Sequence, residues 1–202
     1  MNPEAVLDAA LDLLDGGALT MRALATRVGL TPGALYTYFP DRTAIVAALV
    51  ERLLAEADLG LLENGEGTAS ARITAFSLNL RETLMRHPAA VPAILGAAFN
   101  GPVALRVGES LLGLLPDPRA SYAVIAYVLG SIALEAAETS APLTPEPERI
   151  AQRRAAFQVD PETFPRTHAA ADAIAGYIST DQFRWGLDHL LTALLADTAD
   201  RL

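Results

Sequence analysis

Apolar residues recur every three or four positions through most of this 202-residue chain, and no stretch alternates with a period of two, so the pattern predicts helices throughout and an all-α fold. The first run, Pro3 to Asp15, gathers Asp8, Asp12 and Asp15 on one face and leaves Val6, Ala10, Leu13 and Leu14 to pack. Asn2 is placed to cap this helix, Pro3 to open it and Gly16-Gly17 to close it. A short helix follows Thr20, with Met21, Leu24, Ala25 and Val28 as its inward stripe, and Gly29 supplies the left-handed residue that ends it. Another follows Thr31, with Pro32 at its first position, where a missing N–H is no loss, and Pro40 stops it.

Asp41 to Glu56 is a continuous amphipathic run with Ile45, Leu49 and Leu53 along its apolar face, and it ends near the Gly- and Glu-rich segment at 59–67. Residues 68–86 predict a helix carrying Ile73, Phe76, Leu80 and Leu84, closed by His87-Pro88. Pro92 to Leu115 reads as helical with a break near Asn100-Gly101-Pro102, residues 116–118 as a turn, and 119–139 as a long, strongly apolar helix. A Pro- and Glu-rich connection at 140–148 leads into a helix to about Phe157. An irregular segment with Pro161 and Pro165 comes next, then helices at 167–178 and 181–199. Residues 1–46 form one expected domain and 47–202 a second, with the helix at 41–57 joining them.

Residues 19–42 are thus two capped helices around a glycine turn, a helix-turn-helix, and the helix at 3–15 completes a three-helix unit. This stretch resembles the TetR family of bacterial transcription regulators, whose members carry a small residue, Gly, Leu-Tyr, an aromatic pair, and Lys or Arg opening a fourth helix. Gly33, Leu35, Tyr36, Tyr38, Phe39 and Arg42 carry the match. Farther on, RHP at 86–88, YVLGSIALEAAE at 127–138, FP at 164–165 and FRWGLDHLLTALL at 183–195 are similar to the C-terminal domain of the tetracycline-repressor branch. The resemblance implies a DNA-binding head and a ligand-sensing, dimerising body. No magnesium-ligand set can be matched, and tetracycline as the ligand does not follow.

Net charge is −9, which runs against DNA binding until its distribution is considered. Residues 1–15 carry four acids and no base, whereas residues 16–50 carry Arg22, Arg27 and Arg42 against Asp41 alone. Every basic residue is Arg, which reads as the codon bias of a GC-rich genome. The absence of cysteine excludes disulfides and thiol chemistry and agrees with a reducing cytoplasm. No secretory signal opens the chain. The longest charge-free stretch, His87 to Leu105, is interrupted by three prolines, a poor membrane span. His87, His168 and His189 are too scattered for a metal site, no nucleophile–base spacing stands out, and no cofactor is expected.

In a helix-turn-helix the second helix enters the major groove with its leading residues at base edges. Thr31, Pro32, Gly33 and Ala34 occupy that turn and permit mainly apolar contact with thymine methyls, while Thr20 and Arg22 open the crossing helix. Arg22 suits a bidentate grip on guanine and matches a position the family uses for such contacts. Tyr36 and Tyr38 match family positions that reach phosphates, Thr37 joins them, and Arg42 opens the fourth helix toward a phosphate. Packing beside Phe39 is the competing role for Tyr38. Phe76, Leu80, Leu84, Phe99, Tyr127, Phe164 and Phe183 are the candidate apolar lining of an effector pocket, with Ser131, Glu135 and Glu138 as its polar groups. The two carboxylates alternatively mark a solvated helix end. Helices 119–139 and 181–199 are the candidate dimer interface, through Leu187, Leu190, Leu191 and Leu194. The reading is a homodimeric repressor that binds a near-palindromic double-stranded operator and is released by a small apolar effector, with no membrane role. An all-α enzyme or protein-interaction module is the competing class.

Overall fold

The computed structural model describes residues 3–139 and 144–199, and they contain helices and no strand. In chain order these are α1 (Pro3–Asp15), α2 (Met21–Arg27), α3 (Pro32–Tyr36), α4 (Arg42–Glu56), α5 (Gly60–Glu63), α6 (Ala69–Met85), α7 (Val91–Leu95), α8 (Pro102–Leu114), α9 (Pro118–Glu138), α10 (Glu146–Ala156), α11 (Pro165–Ala169), α12 (Ala171–Ala175) and α13 (Thr180–Ala199). Side-chain caps fix the starts that the sequence marks. Thr20, Thr31, Asp41 and Thr68 accept hydrogen bonds from the amides of Ala23, Ala34, Ala44 and Ala71. Gly17 and Gly29 take positive φ where α1 and α2 end. Asn2, the expected cap of α1, lies outside the described residues.

Three boundaries differ from the pattern. The break expected near Asn100-Gly101-Pro102 is wider, an open stretch from Gly96 to Gly101 between α7 and α8. The segment at 59–67 holds the short α5, and the helix expected at 167–178 is interrupted at Ala170, whose φ of −96° and ψ of 3° lie outside the helical basin.

α1 packs on α2 and α4, α3 packs on α2, and α4 also packs on α6, α7 and α8. One continuous core results, from Val6 and Leu24 through Ile45, Leu49 and Leu53 to Ile73, Ile132 and Leu191. The head is therefore packed onto the body through α4 rather than hung from a linker. α1 also contributes Leu7 and Leu11 to this core, beyond the four residues its acidic face suggests. α9 is long and apolar enough to cross a membrane by length and composition, with a mean hydropathy of 1.5. Here it is a core helix, packed on α6, α7, α8 and α13. Leu187 and Leu191 of α13 are fully buried in this subunit core, so they are not the surface expected for a dimer. Leu190 and Leu194 are partly buried against it.

Candidate nucleic-acid interface and internal cavity

α2 and α3 hold their leading residues outward because their inward positions are taken by Leu24, Ala25 and Leu35. Thr20, Arg22, Thr31, Pro32, Gly33, Tyr36, Thr37, Tyr38 and Arg42 are all exposed, and Ala34 is half-buried. Tyr38 keeps 49% of its surface free, while Phe39 beside it packs on the core. The threonine hydroxyls are largely committed to the backbone: Thr20 and Thr31 cap their helices, and Thr37 donates to the Ala34 carbonyl at 2.6 Å. Arg27 is paired with Asp12 of α1 at 3.2 Å. The Arg22 guanidinium has no partner among the described residues and projects from the first turn of α2, open to a bidentate acceptor. Arg42 is bound to the fold through Nε, which donates to the Leu19 carbonyl at 3.2 Å. It thereby ties the start of α4 to the entrance of α2, leaving its terminal nitrogens for an anion.

The ten candidate pocket residues do not meet in one cavity. Phe76, Leu80 and Phe99 line a cavity of about 390 Å³ between α6, α8 and α9, together with Leu54 of α4 and Leu111, Val124 and Val128. Tyr127, Ser131, Glu135 and Phe183 border a separate space of about 150 Å³ with Arg81 and Tyr177. Leu84 is buried core, Glu138 faces α10 and α12, and Phe164 is 57% exposed. Apolarity and polarity along a helix mark these residues as special without saying which neighbour each one meets. Among the described residues no group of three His, Asp or Glu could hold a metal ion.

Glu135 is neither solvated nor free. It is 5% exposed and accepts from Arg81 Nε at 2.7 Å, Arg81 Nη2 at 2.9 Å and Arg149 Nη2 at 2.6 Å. Arg81 also donates to Glu146 and to the Thr180 hydroxyl. Glu146 in turn accepts from the Thr180 amide at 2.9 Å and hydroxyl at 2.8 Å. Burial pushes the Glu146 carboxyl up, but Thr180 and Arg81 outweigh it and hold it below its ordinary value. Two arginines and two glutamates thus balance in a polar knot that fastens α10 and the start of α13 to α6 and α9. Beside it, Arg153 pairs with Glu138 and donates to the carbonyls of Ala175 and Ile178. The Tyr127 hydroxyl donates to the Phe183 carbonyl at 3.1 Å, and burial, opposed by Ser131, raises its pKa.

The contact that sequence reading missed is Glu51. α8 starts at Gly101-Pro102 with no capping side chain of its own, and Glu51 of α4 supplies one from outside, accepting from the amides of Val103 at 2.7 Å and Ala104 at 3.1 Å. A Cβ at residue 101 would overlap the Glu51 carboxylate, which explains glycine there. The lack of a local cap before Pro102 is the one signal that a distant acceptor was needed. α8, which walls the 390 Å³ cavity, is thus fastened to α4, whose first residue, Arg42, is fastened to Leu19 in the turn that enters α2.

Two family profiles match the chain. The sequence profile of bacterial regulatory proteins of the tetR family matches residues 6–49, and that of the tetracyclin repressor-like C-terminal domain matches residues 62–197. The tetracycline repressor protein class A from transposon 1721 of Escherichia coli is 44% identical over 59 residues, 28% of this chain and 27% of that protein. The chain thus aligns with about a quarter of the length of that relative. A structure described as a possible TetR family transcriptional regulator from Streptomyces coelicolor superposes with a TM-score of 0.77 at 29% identity, over 96% of this chain and 99% of that one. The Streptomyces coelicolor protein ActR, in complex with actinorhodin, shares the fold with a TM-score of 0.79 at 17% identity, over 98% of each chain. With a head matched by one profile and two thirds of its length by the other, the chain belongs to the TetR family of bacterial regulatory proteins, with a tetracycline-repressor-like C-terminal domain.

Proposed function

We propose that this protein is a cytoplasmic transcriptional repressor that binds a near-palindromic operator as a homodimer and is released when a small, mainly apolar effector fills the 390 Å³ cavity. The observation that carries the reading is the bridge from cavity to head: α8 lines the cavity, Glu51 joins α8 to α4, and Arg42 joins α4 to Leu19 in the turn that enters α2. An effector that prefers a displaced α8 then shifts α4 and the recognition helix with it. Linkage requires the effector to weaken operator binding by the factor by which operator weakens effector binding, commonly about 5- to 150-fold. ActR, which shares the fold, is a precedent for a complex with a small molecule, actinorhodin. Arg22 reads a base, while Arg42, Tyr36 and Tyr38 hold phosphates.

Dimerisation is supported by the outer side of α9, where Tyr122, Ala126, Gly130, Leu134 and Ala137 are exposed and uncharged over four turns. Trp185 of α13 is 58% exposed, with His189 stacked on it. Two such helix pairs across a two-fold axis make a four-helix bundle and set two recognition helices one DNA turn apart. The test is selection of a duplex from a random pool, followed by titration of the selected site with and without cavity ligands. Failure to select any duplex refutes the reading, and a monomer at micromolar concentration in sedimentation refutes the dimer.

A further inference from the structure

We propose that Asp15 and His87 form a proton-dependent strap between the DNA-binding head and the body, tight when His87 is charged and slack when it is neutral, so that operator binding responds to pH near neutrality. The strap stands on its own geometry, and its effect on DNA rests on the repressor reading. α1 ends at Asp15 and packs on the 3₁₀ turn at Pro88–Ala90, which His87 opens. His87 Nδ1 donates to Asp15 Oδ2 at 2.7 Å, a length typical of a charge-assisted bond. The pair joins the first helix of the head to the chain just beyond α6, a route from head to body separate from the Glu51 cap.

Asp15 needs a positive partner, and His87 is the one it has. The other three acids of α1 face arginines: Glu4 and Asp8 lie 3.9 and 2.5 Å from Arg52 of α4, and Asp12 lies 3.2 Å from Arg27 of α2. Asp15 pairs with no arginine among the described residues, and its second oxygen, Oδ1, is buried without a hydrogen-bond partner. A carboxylate shielded in this way is costly unless a charge balances it. Arg86, beside His87, is turned to Glu56 at 3.9 Å and to the Thr83 hydroxyl at 3.1 Å. The other helices packed on the turn, α7 and α9, bring no competing partner. α7 has no charged residue. On α9, Arg119 pairs with Asp117, Glu135 and Glu138 are held by arginines of α6 and α10, Tyr127 is bonded to α13, and Tyr122 is exposed.

Histidine is the side chain whose charge changes between about pH 5 and 8. Nδ1 keeps its proton toward Asp15, so the exchange takes place at Nε2, which has no partner among the described residues and is not buried. With both groups charged the strap is an ion pair. As pH rises and His87 loses its charge, one hydrogen bond remains, to a carboxylate without a counterion. The apolar packing of α1 on the turn, where Pro88 and Ala90 are buried, persists in both states, so the strap adjusts the seating of the head rather than releasing it.

The test is a double-mutant cycle of Asp15→Asn and His87→Gln in the full-length protein, read by urea unfolding at about pH 6 and about pH 8.5. The two side chains are 32% and 27% exposed, so both variants fold. At the lower pH the positions should be coupled by about tenfold in the unfolding equilibrium constant, and at the higher by no more than about threefold. No coupling at the lower pH, or equal coupling at both, would overturn the strap. Between the same two conditions, operator affinity should change at least about threefold more in wild type than in His87→Gln. An equal change in the two proteins would overturn the regulation. Failure to bind any duplex would remove the repressor reading and the regulation with it, while the unfolding cycle, which needs no DNA, still decides the strap.

Discussion

Replacing Glu135 by Gln should lower folding stability by about 3 to 5 kcal/mol, the range for breaking a buried ion pair by removing one partner. The structure gives the components. Glu135 accepts three charge-assisted bonds, from Arg81 twice and Arg149 once, each of the kind that contributes about 1.5 to 3 kcal/mol. A glutamine offers one acceptor oxygen; placed at Oε1, which takes the bonds from Arg81 Nη2 and Arg149 Nη2, it keeps two of the three, and its NH2 group then faces the Arg81 Nε donor with no bond to make. The two arginines are left with Glu146 alone, and a neutral cluster becomes a buried net positive one. Arg149→Ala should cost less, about 1 to 2 kcal/mol, because Glu135 keeps both bonds from Arg81. α10 buries no residue, so it can give way around the lost side chain. The double variant Arg81→Met with Glu135→Leu should be more stable than the sum of its singles predicts, since an apolar pair of similar volume replaces the buried pair. Urea denaturation of wild type, Glu135→Gln, Arg149→Ala, the double variant and its two singles measures all of this. A loss below about 1 kcal/mol for Glu135→Gln, or strict additivity in the double variant, would refute the buried-charge account.

Three further outcomes are expected. Glu146, held below its ordinary value in the fold, contributes stability that is complete above the unfolded carboxyl pKa of about 4.3 and is lost as pH falls through the folded value. Melting temperature should therefore drop in acid below that point, and less steeply in Glu146→Gln. Arg22→Ala should relax base preference at one operator position by about 1 to 3 kcal/mol, whereas Arg42→Ala should weaken all duplexes alike, read by anisotropy against operator mutants at fixed salt. Gly101→Ala, whose Cβ would displace the Glu51 carboxylate from α8, should cost about 0.5 to 2 kcal/mol of stability and blunt the effect of effector on operator binding, and Glu51→Ala added to it should cost little more.

The features legible in the sequence are those whose causes lie within a few residues. Thr20, Thr31 and Thr68 cap helices because an acceptor one residue before a helix start finds an amide three residues on, and Gly29 takes its positive φ because no other residue does so cheaply. The helix-turn-helix and the exposure of Arg22 follow from such local rules. The knot and the cap on α8 do not: Arg81 and Glu135 are 54 residues apart, and Glu51 meets Val103 across 52. No periodicity links positions at that separation, and a carboxylate on a helix looks the same in sequence whether it faces water or a buried arginine.

α9 shows why the pocket residues could not be sorted in advance. One side buries Ala120 and Ile132 in the core, another gives Val124, Ile125, Val128 and Leu129 to the cavity, a third sends Glu135 into the knot, and the last leaves Tyr122 and Leu134 uncovered. A helix with a use for apolar residues on nearly every side has almost no amphipathic signal left to read. Its sequence announces burial without direction, and direction comes only from the charges of its neighbours. Arg81 and Arg149 fix where Glu135 must point, and that fixes the rotation of the whole helix. The same rotation aims Val124 and Leu129 at the cavity and Leu134 outward. The knot thereby does for α9 what a polar residue in an apolar seam does for a coiled coil: it sets a register that apolar packing alone would leave degenerate.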